Sequence, residues 1–310
     1  MEIQEFGSSC EYLPLRKVVM FRPGKEVKQI TVDTYREFSF RDVVYWKRFQ
    51  EEHDTYCDVL RGENVEVIYL NDHLTDSECQ VVDPNLVYMK DTCTITAAGY
   101  IQMRMAKQVR TREPELVALG LERLGVPRFH KTQAPGLLEG GDFVFPDQDT
   151  VFIGYNPRSN EEGGMKVGHD LLDKQVMNTV VLVPLPSWRV HLDGGLMFVN
   201  ENLILVYPPA VQTFPARVIH KNEPPLLIPL MDFIEEKYDP DKIIVSDNEV
   251  YGFGANVVCI NGRKCVIYEW NERIIAEMEE RGVEALRIPG SELARGGGGP
   301  HCMTLPLLRK

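Results

Sequence analysis

The chain has 310 residues, 44% of them hydrophobic, enough for a large core in one big domain or two modest ones. Its 34 Lys plus Arg against 46 Asp plus Glu give a net charge of −12 with no offsetting basic patch, which argues against nucleic acid or an anionic membrane as partner and suits a small cationic substrate. Seven scattered cysteines without a Cys-x-x-Cys pair read as free thiols in a reducing compartment, and no apolar run approaches the roughly 18 residues of a membrane span.

In chain order, Met1 to Tyr12 lacks a basic segment followed by an apolar one, so no secretory leader is expected and a soluble cytoplasmic protein is. Residues 16 to 22 read as a strand stopped by Pro23-Gly24, residues 41 to 61 as a helix closed by Gly62, and Val65 to Leu70 as a β-branched strand. Thr92 to Thr96 and Ile101 to Met105 form a hairpin across Ala98-Gly99, followed by a helix at Glu113 to Leu124 and a short strand at Pro127 to Lys131. Phe143 to Phe145 with Val151 to Gly154 is a second hairpin, with a weaker helix at Gly164 to Lys174 and a strand at Thr179 to Val183. His191 to Val199 with Leu203 to Tyr207 is a third, with helix Leu230 to Lys237 and strand Lys242 to Ser246. Val257 to Ile260 with Lys264 to Tyr268 is a fourth, turning at Asn261-Gly262, with helix Glu272 to Arg281 and strand Val283 to Ile288.

Hairpin, helix and strand thus recur at a period of about fifty to sixty residues, a signature of radially repeated folds. A fifth unit appears if a strand begun at Cys302 pairs with the strand at 16 to 22, making a hairpin from the chain's two ends. The expected fold is α/β, with five such units around a central site; an ordinary α+β domain with one mixed sheet is the alternative.

The candidate chemistry sits at hairpin starts. Asp91 introduces the first, Glu139-Gly-Gly-Asp142 the second and His191-Leu-Asp193 the third, with His191 and Asp193 two apart and so on one face of an extended chain. A glycine run, Gly296 to Gly299, delivers Cys302 to a short apolar segment. In a radial fold, equivalent ends of successive units converge on one cavity, which makes these residues neighbours. A carboxylate-rich pocket holds a planar guanidinium by paired charge-assisted hydrogen bonds and leaves its carbon open to a thiolate. Cys302 is then the nucleophile, His191 the acid and base for the departing amine and incoming water, and Glu139 the group that orients the imidazole. The acids raise the thiol's pKa, so a bound cation is expected to assist thiolate formation.

These motifs, ending in Gly-Gly-Pro-His-Cys302-Met-Thr, resemble the guanidine-modifying enzymes of the pentein superfamily, which includes arginine deiminases, dimethylarginine dimethylaminohydrolases, agmatine deiminases and amidinotransferases. The resemblance implies a five-bladed α/β propeller with residues 1–310 as a single catalytic domain. It implies Cys302, His191 and Glu139 as catalytic residues and Asp91 and Asp193 as guanidinium ligands, with Asp142 beside them. Arg158, in Gly154-Tyr-Asn-Pro-Arg158, is similar to a family arginine that binds a substrate carboxylate, and Arg110 is a second candidate for that contact. No cofactor and no metal are implied. An arginine-like guanidino compound is the expected partner, and a homo-oligomer remains compatible with the sequence. A helical insertion frequent in arginine deiminases is missing, since only 21 positions separate Leu70 from Asp91. The expected activity is hydrolysis of an arginine-like guanidine, of the arginine deiminase or dihydrolase type; amidino transfer, dimethylarginine hydrolysis and a noncatalytic binding role are the alternatives.

Overall fold

The computed structural model describes residues 5–79 and 82–310. Residues 1–4, the start of the segment read for a leader, and 80–81, between Leu70 and Asp91, lie outside them. The fold is mixed α/β, and its strands fall into five separate sheets. The first holds β1 (Leu15–Met20) and β2 (Glu66–Tyr69), the second β3 (Cys93–Thr96), β4 (Gly99–Gln102) and β5 (Arg128–Lys131). The third holds β6 (Phe143–Val144), β7 (Thr150–Tyr155) and β8 (Thr179–Pro184). The fourth is built from β9 (Leu196–Asn200), β10 (Leu203–Val206) and, beyond the hairpin β11 (Ala216–His220) and β12 (Leu226–Ile228), β13 (Asp241–Ile244). The fifth holds β14 (Val258–Asn261), β15 (Lys264–Tyr268) and β16 (Glu284–Ile288), and β17 (Leu305–Arg309) returns to the first sheet beside β1.

Every sheet repeats one pattern, an antiparallel pair whose second strand crosses over through a helix to a parallel third strand. The crossover helices are Trp46–Gly62, Glu113–Arg123, Glu161–Asp173, Leu230–Tyr238 and Glu272–Glu280. Their ends follow local chemistry. Glu113 and Glu115 occupy the first turn of the second helix with Pro114, and Arg123 its last turn, each complementing the helix dipole. Asn160 caps the third by accepting a hydrogen bond from the Gly163 amide, which moves its start three residues ahead of the Gly164 expected from periodicity.

The hairpin expected from the two chain ends is present, with Val18 opposite Pro306 and Val19 opposite Leu305. Three expectations are corrected. Cys302 does not begin a strand; it lies in a helical turn, Pro300–Met303, ahead of β17. His191 to Asp193 is not extended either, because Leu192–Gly194 forms a 3-10 turn before β9. The hairpin β11–β12, absent from the sequence reading, leaves the fourth unit's crossover and adds to the third sheet through β8, lengthening it to five strands.

The core lies between sheets. One apolar cluster joins Val19 and Leu305 of the first unit to Tyr100 and Leu116 of the second, and another joins Ile101 to Phe143 and Val167 of the third. A third cluster runs from Phe152 through Phe198 to Ile267 and Ile274, and a fourth returns from Val266 and Tyr268 to Val18, Phe49 and Tyr56. Burying one such aromatic or aliphatic side chain contributes about 1.5–3 kcal/mol, so these seams hold the units together. No helix among the described residues is long and apolar enough to cross a membrane.

Candidate active site

Short turns precede the first strand of several units: Met89–Asp91 before β3, Gly140–Asp142 before β6, Leu192–Gly194 before β9, and Pro300–Met303 before β17. These turns pack against one another. Three of them carry an aspartate, Asp91, Asp142 and Asp193, at a spacing of 51 residues each time. The packing is tight enough to demand glycine: a Cβ on Gly141 would lie 2.6 Å from His191 Nδ1, and one on Gly140 would fall on the Lys90 carbonyl.

On one side, His191 Nε2 donates to Glu139 Oε2 at 2.8 Å, while Nδ1 lies 3.5 Å from Asp91 Oδ1. Glu139 Oε1 also accepts from the Ala106 amide at 3.0 Å and from Arg158 Nε at 3.1 Å. Burial disfavours the charged imidazole, but the Asp91, Glu139 and Asp142 carboxylates outweigh it and push the His191 pKa up to about 9. Burial likewise opposes the Glu139 carboxylate, yet the His191 hydrogen bond and the charges of Arg158, His191 and Arg110 bring it down to about 2. This is a preformed imidazolium–carboxylate pair with one imidazolium nitrogen turned toward Asp91.

On the other side, Cys302 Sγ lies 3.3 Å from Asn256 Oδ1 and 3.9 Å from Asp193 Oδ2. The Cys302 amide also donates to Asn256 Oδ1, at 3.3 Å. Asp193 Oδ2 accepts from His301 Nδ1 at 2.8 Å, and His301 Nε2 reaches Glu11 Oε2 at 3.3 Å. Burial opposes charge on both Asp193 and His301; their mutual hydrogen bond nevertheless lowers the Asp193 pKa and, with Glu11, raises that of His301. Burial and the Asp193 and Asp91 carboxylates push the Cys302 thiol well above its usual range, so in the empty site it is neutral.

The structure therefore brings Asp91, Glu139, Asp142, His191, Asp193, Arg110, Arg158 and Cys302 into one region, but not all in the positions the sequence suggested. Arg110 is no open carboxylate ligand. It is 3% exposed, and its guanidinium is used by Asp91 Oδ2 at 2.5 Å, Glu113 Oε2 at 2.8 and 2.9 Å and the Asn85 and Tyr88 carbonyls. Asp142 is no open substrate ligand either. Its Oδ2 accepts from Ser159 Oγ at 2.5 Å and its Oδ1 from the Leu192 amide at 3.1 Å, and burial raises its pKa to about 7. It ties the second turn to the third. Arg158 is different: among the described residues only its Nε is committed, to Glu139. Asp91 Oδ1 is buried without a hydrogen-bond partner among the described residues.

Sequence reasoning missed Glu11, Lys90, Ser159, Asn256 and His301. His301 and Lys90 stood beside singled-out residues and could have been found by adjacency; Glu11 and Asn256 carried no local signal. Lys90 is buried, its ammonium 5.9 Å over the Phe145 ring, with burial lowering its pKa against Glu11 and Asp193. For a metal, ligand atoms of Asp91, Glu139 and His191 lie within 4.8 Å of one another, but a cation there would have to break the His191–Glu139 bond. A surface cavity of about 1180 Å³ lies elsewhere, between the β9–β10 and β14–β15 turns, and is lined by none of these residues.

The chain is similar to proteins of known activity over nearly its whole length. The family described as arginine deiminase matches residues 36–80 and 79–309. An arginine deiminase of Mycobacterium avium is 24% identical over 404 aligned positions, covering 100% of this chain and 99% of that protein. One from Rhodococcus erythropolis is 25% identical, covering 98% of this chain and 97% of the relative. Among solved structures, a mutant dimethylarginine dimethylaminohydrolase from Pseudomonas aeruginosa, complexed with citrulline, superposes with TM-score 0.71 at 20% identity, covering 94% and 99% of the two chains. An amidinotransferase from Microseira wollei superposes with TM-score 0.72 at 14% identity, covering 99% and 98%.

Proposed function

The chain belongs to the arginine deiminase family and is a hydrolase of guanidino carbon–nitrogen bonds; from that premise we propose that it converts an arginine-like guanidine to the ureido product through a covalent adduct on Cys302. The observation that carries this reading is the division of the acidic pocket. An Asp91 oxygen with no hydrogen bond among the described residues, 3.5 Å from His191 Nδ1, and the Asp193 carboxylate lie between a charged His191 and a neutral Cys302 thiol.

A guanidinium bridging Asp91 Oδ1 and Asp193 supplies the missing positive charge and lowers the cost of ionising Cys302 beside it, the thiol proton passing to solvent because His191 is already protonated. Sγ then forms a bond to the central guanidino carbon. His191 Nδ1, the nitrogen not held by Glu139, gives its proton to the departing nitrogen, which leaves as ammonia when the substrate is arginine. Water enters in its place and gives a proton to His191, the carbon–sulfur bond breaks, and the ureido product departs. Glu139, with Arg158 and the Ala106 amide on its other oxygen, keeps the imidazole oriented and charged. Arg110 fixes Asp91, and Asp142 fixes the turn that carries His191. No step calls for a metal or cofactor.

On this reading the five sheets are blades of one propeller, residues 1–310 forming a single catalytic domain. The shared pairing pattern, the seams linking each unit to the next and the last to the first, and the β1–β17 hairpin support it. The missing insertion is supported by the interruption of the family match at residues 79–80 and by alignments that run well beyond 310 positions. Cys302→Ala is expected to abolish ammonia release from arginine, agmatine and methylarginines; activity surviving in that variant would sink the mechanism. Mass spectrometry of the wild-type products separates citrulline, ornithine and amidino-transfer products in one experiment.

A further inference from the structure

Cys259 on β14 and Cys265 on β15 stand directly opposite each other in one antiparallel pair. The Cys265 thiol donates to Cys259 Sγ at 3.1 Å, and the Cys259 thiol donates to the Phe198 carbonyl at 3.5 Å. Both cysteines are buried, in the apolar seam that holds Phe198 of the fourth sheet and Ile267 of the fifth. Residues opposed in an antiparallel pair have Cα atoms about 4.5 or 5.5 Å apart, and both values lie inside the range of about 4.4–6.8 Å that a disulfide accepts. A sulfur–sulfur bond is about 2.05 Å long, so closing it here takes about 1 Å of sulfur travel and no change of strand register.

The pair sits at a junction. The Cys259 carbonyl accepts from Arg309 Nη1 of β17 at 2.7 Å, so the fourth, fifth and first sheets meet at this residue. Asn256, three positions ahead of Cys259, accepts from the Cys302 amide and thiol, each at 3.3 Å. The connection between the two cysteines, Asn261 to Lys264, lines the cavity of about 1180 Å³, which brings solvent to the chain neighbour of Cys265 and to within two positions of Cys259. An oxidant little larger than water can approach by that side. The contact with Cys265, together with burial, pushes the Cys259 thiol well above its usual range, so the pair stays reduced until a thiolate forms.

We propose that Cys259 and Cys265 are a redox-modifiable dithiol that a small hydroperoxide closes to a cross-strand disulfide, and that the disulfide restrains the Cys302 turn. With hydrogen peroxide, one thiolate attacks an oxygen, the O–O bond breaks, and a sulfenic acid and water result. The second sulfur then attacks the sulfenic sulfur and a second water leaves. Two thiol hydrogens and two electrons pass to the peroxide, and one S–S bond forms. A locked hairpin fixes both Asn256 and the Cys259 carbonyl, so the local opening that exposes the buried Cys302 thiol becomes rarer. The rival role is packing alone, with two thiols as small apolar fillers.

The test exposes the full chain carrying Cys79→Ser, which removes the one cysteine that is not buried, to hydrogen peroxide. Arg263 and Lys264 stand between the two cysteines, so trypsin separates them. A disulfide then appears as the peptide 243–263 joined to 265–273, lighter by two hydrogens than their sum and split by dithiothreitol. Its formation is expected to quicken about tenfold per pH unit between about pH 6 and 8, because the thiolate is the attacking form. After removal of the peroxide, surviving Cys302 is expected to react with iodoacetamide at least about twofold more slowly than in the reduced protein, and dithiothreitol is expected to restore the rate. Cys265→Ser in the same protein is expected to show neither the linked peptide nor the slowing. Recovery of both cysteines reduced, or as separate sulfinic acids, or linked to other cysteines, overturns the dithiol. An equal Cys302 rate before and after dithiothreitol in the linked protein, a comparison that needs no further variant to fold, overturns the restraint, as does the same slowing in Cys265→Ser.

Discussion

The His191 side and the Cys302 side of the site stand in the same acidic field, and it affects them in opposite ways. Around His191, Asp91, Glu139 and Asp142 favour the cation, so the proposed proton donor is charged before any substrate arrives. Around Cys302, Asp193 and Asp91 oppose the anion, so the proposed nucleophile stays neutral. One arrangement of carboxylates thus readies the acid and holds back the thiol, and only a cationic ligand changes the balance for the thiol. The two sides also differ in construction. Asp91, Glu139 and His191 come from the turns ahead of β3, β6 and β9, whereas Cys302 rests on the C-terminal turn, held by Asn256 and by the pairing of β17 with β1.

The largest effect should come from removing the second construction. Deleting residues 302–310 takes away both the proposed nucleophile and β17, so ammonia release should vanish and the midpoint of thermal unfolding should fall; an unchanged midpoint would argue against the closure of the fold by the two chain ends. Glu139→Gln should next lower turnover by about 10²–10⁴-fold, the usual range for disabling acid–base catalysis, with little effect on folding. Its pH profile is the sharper readout: without the carboxylate the His191 pKa drops from about 9, so the alkaline limb should move to lower pH. In the intact protein the raised His191 pKa adds stability that is fully present below its ordinary value of 6.5 and lost as pH rises through about 9.

Asp193→Asn would split the two sides directly. Removing a carboxylate 3.9 Å from Sγ should lower the thiol pKa and speed alkylation of the empty enzyme, on the order of tenfold for one pKa unit, while turnover falls because a proposed guanidinium ligand is lost. Slower alkylation would contradict the account of a thiol restrained by acids. The smallest effect belongs to Asp142→Asn. Native Asp142 keeps its proton to about pH 7 against an ordinary value of 3.8, so the native state binds protons more tightly and its stability falls as pH rises from about 4 through 7. The asparagine variant should show a flatter profile in denaturant titrations across that range.

The order of the four internal hairpins and of the crossover helices was legible because each is a local pattern: Asn261-Gly262 marks a turn, and Glu113 with Pro114 opens a helix whatever lies around them; their ends moved, the first crossover helix from residues 41 to 61 to Trp46–Gly62. The reading failed where a third unit settled the conformation. Residues 191 to 194 look extended by themselves, and they turn because Asp142 Oδ1 takes the Leu192 amide from 50 residues away. The hairpin β11–β12 was invisible because its partner, β8, belongs to another unit.

The same division runs through the site. Residue types, glycine-flanked acids, a histidine two residues from an aspartate and a cysteine behind a glycine run, were enough to suggest guanidine chemistry, because that chemistry needs carboxylates, a proton carrier and a thiol. What each group does was decided by packing. Arg110 looked like a ligand and is consumed by Asp91 and Glu113, while Asp142 looked like a ligand and is consumed by Ser159 and Leu192. His301 gains its role from Asp193, 108 residues away, and from Glu11, 290 residues away. The sequence by itself determined which functional groups the chain could bring to a site and the local elements that carry them. Only the tertiary structure decided which of those groups are spent on one another and which remain open to a substrate, because hydrogen-bond saturation and burial depend on neighbours that no local pattern specifies.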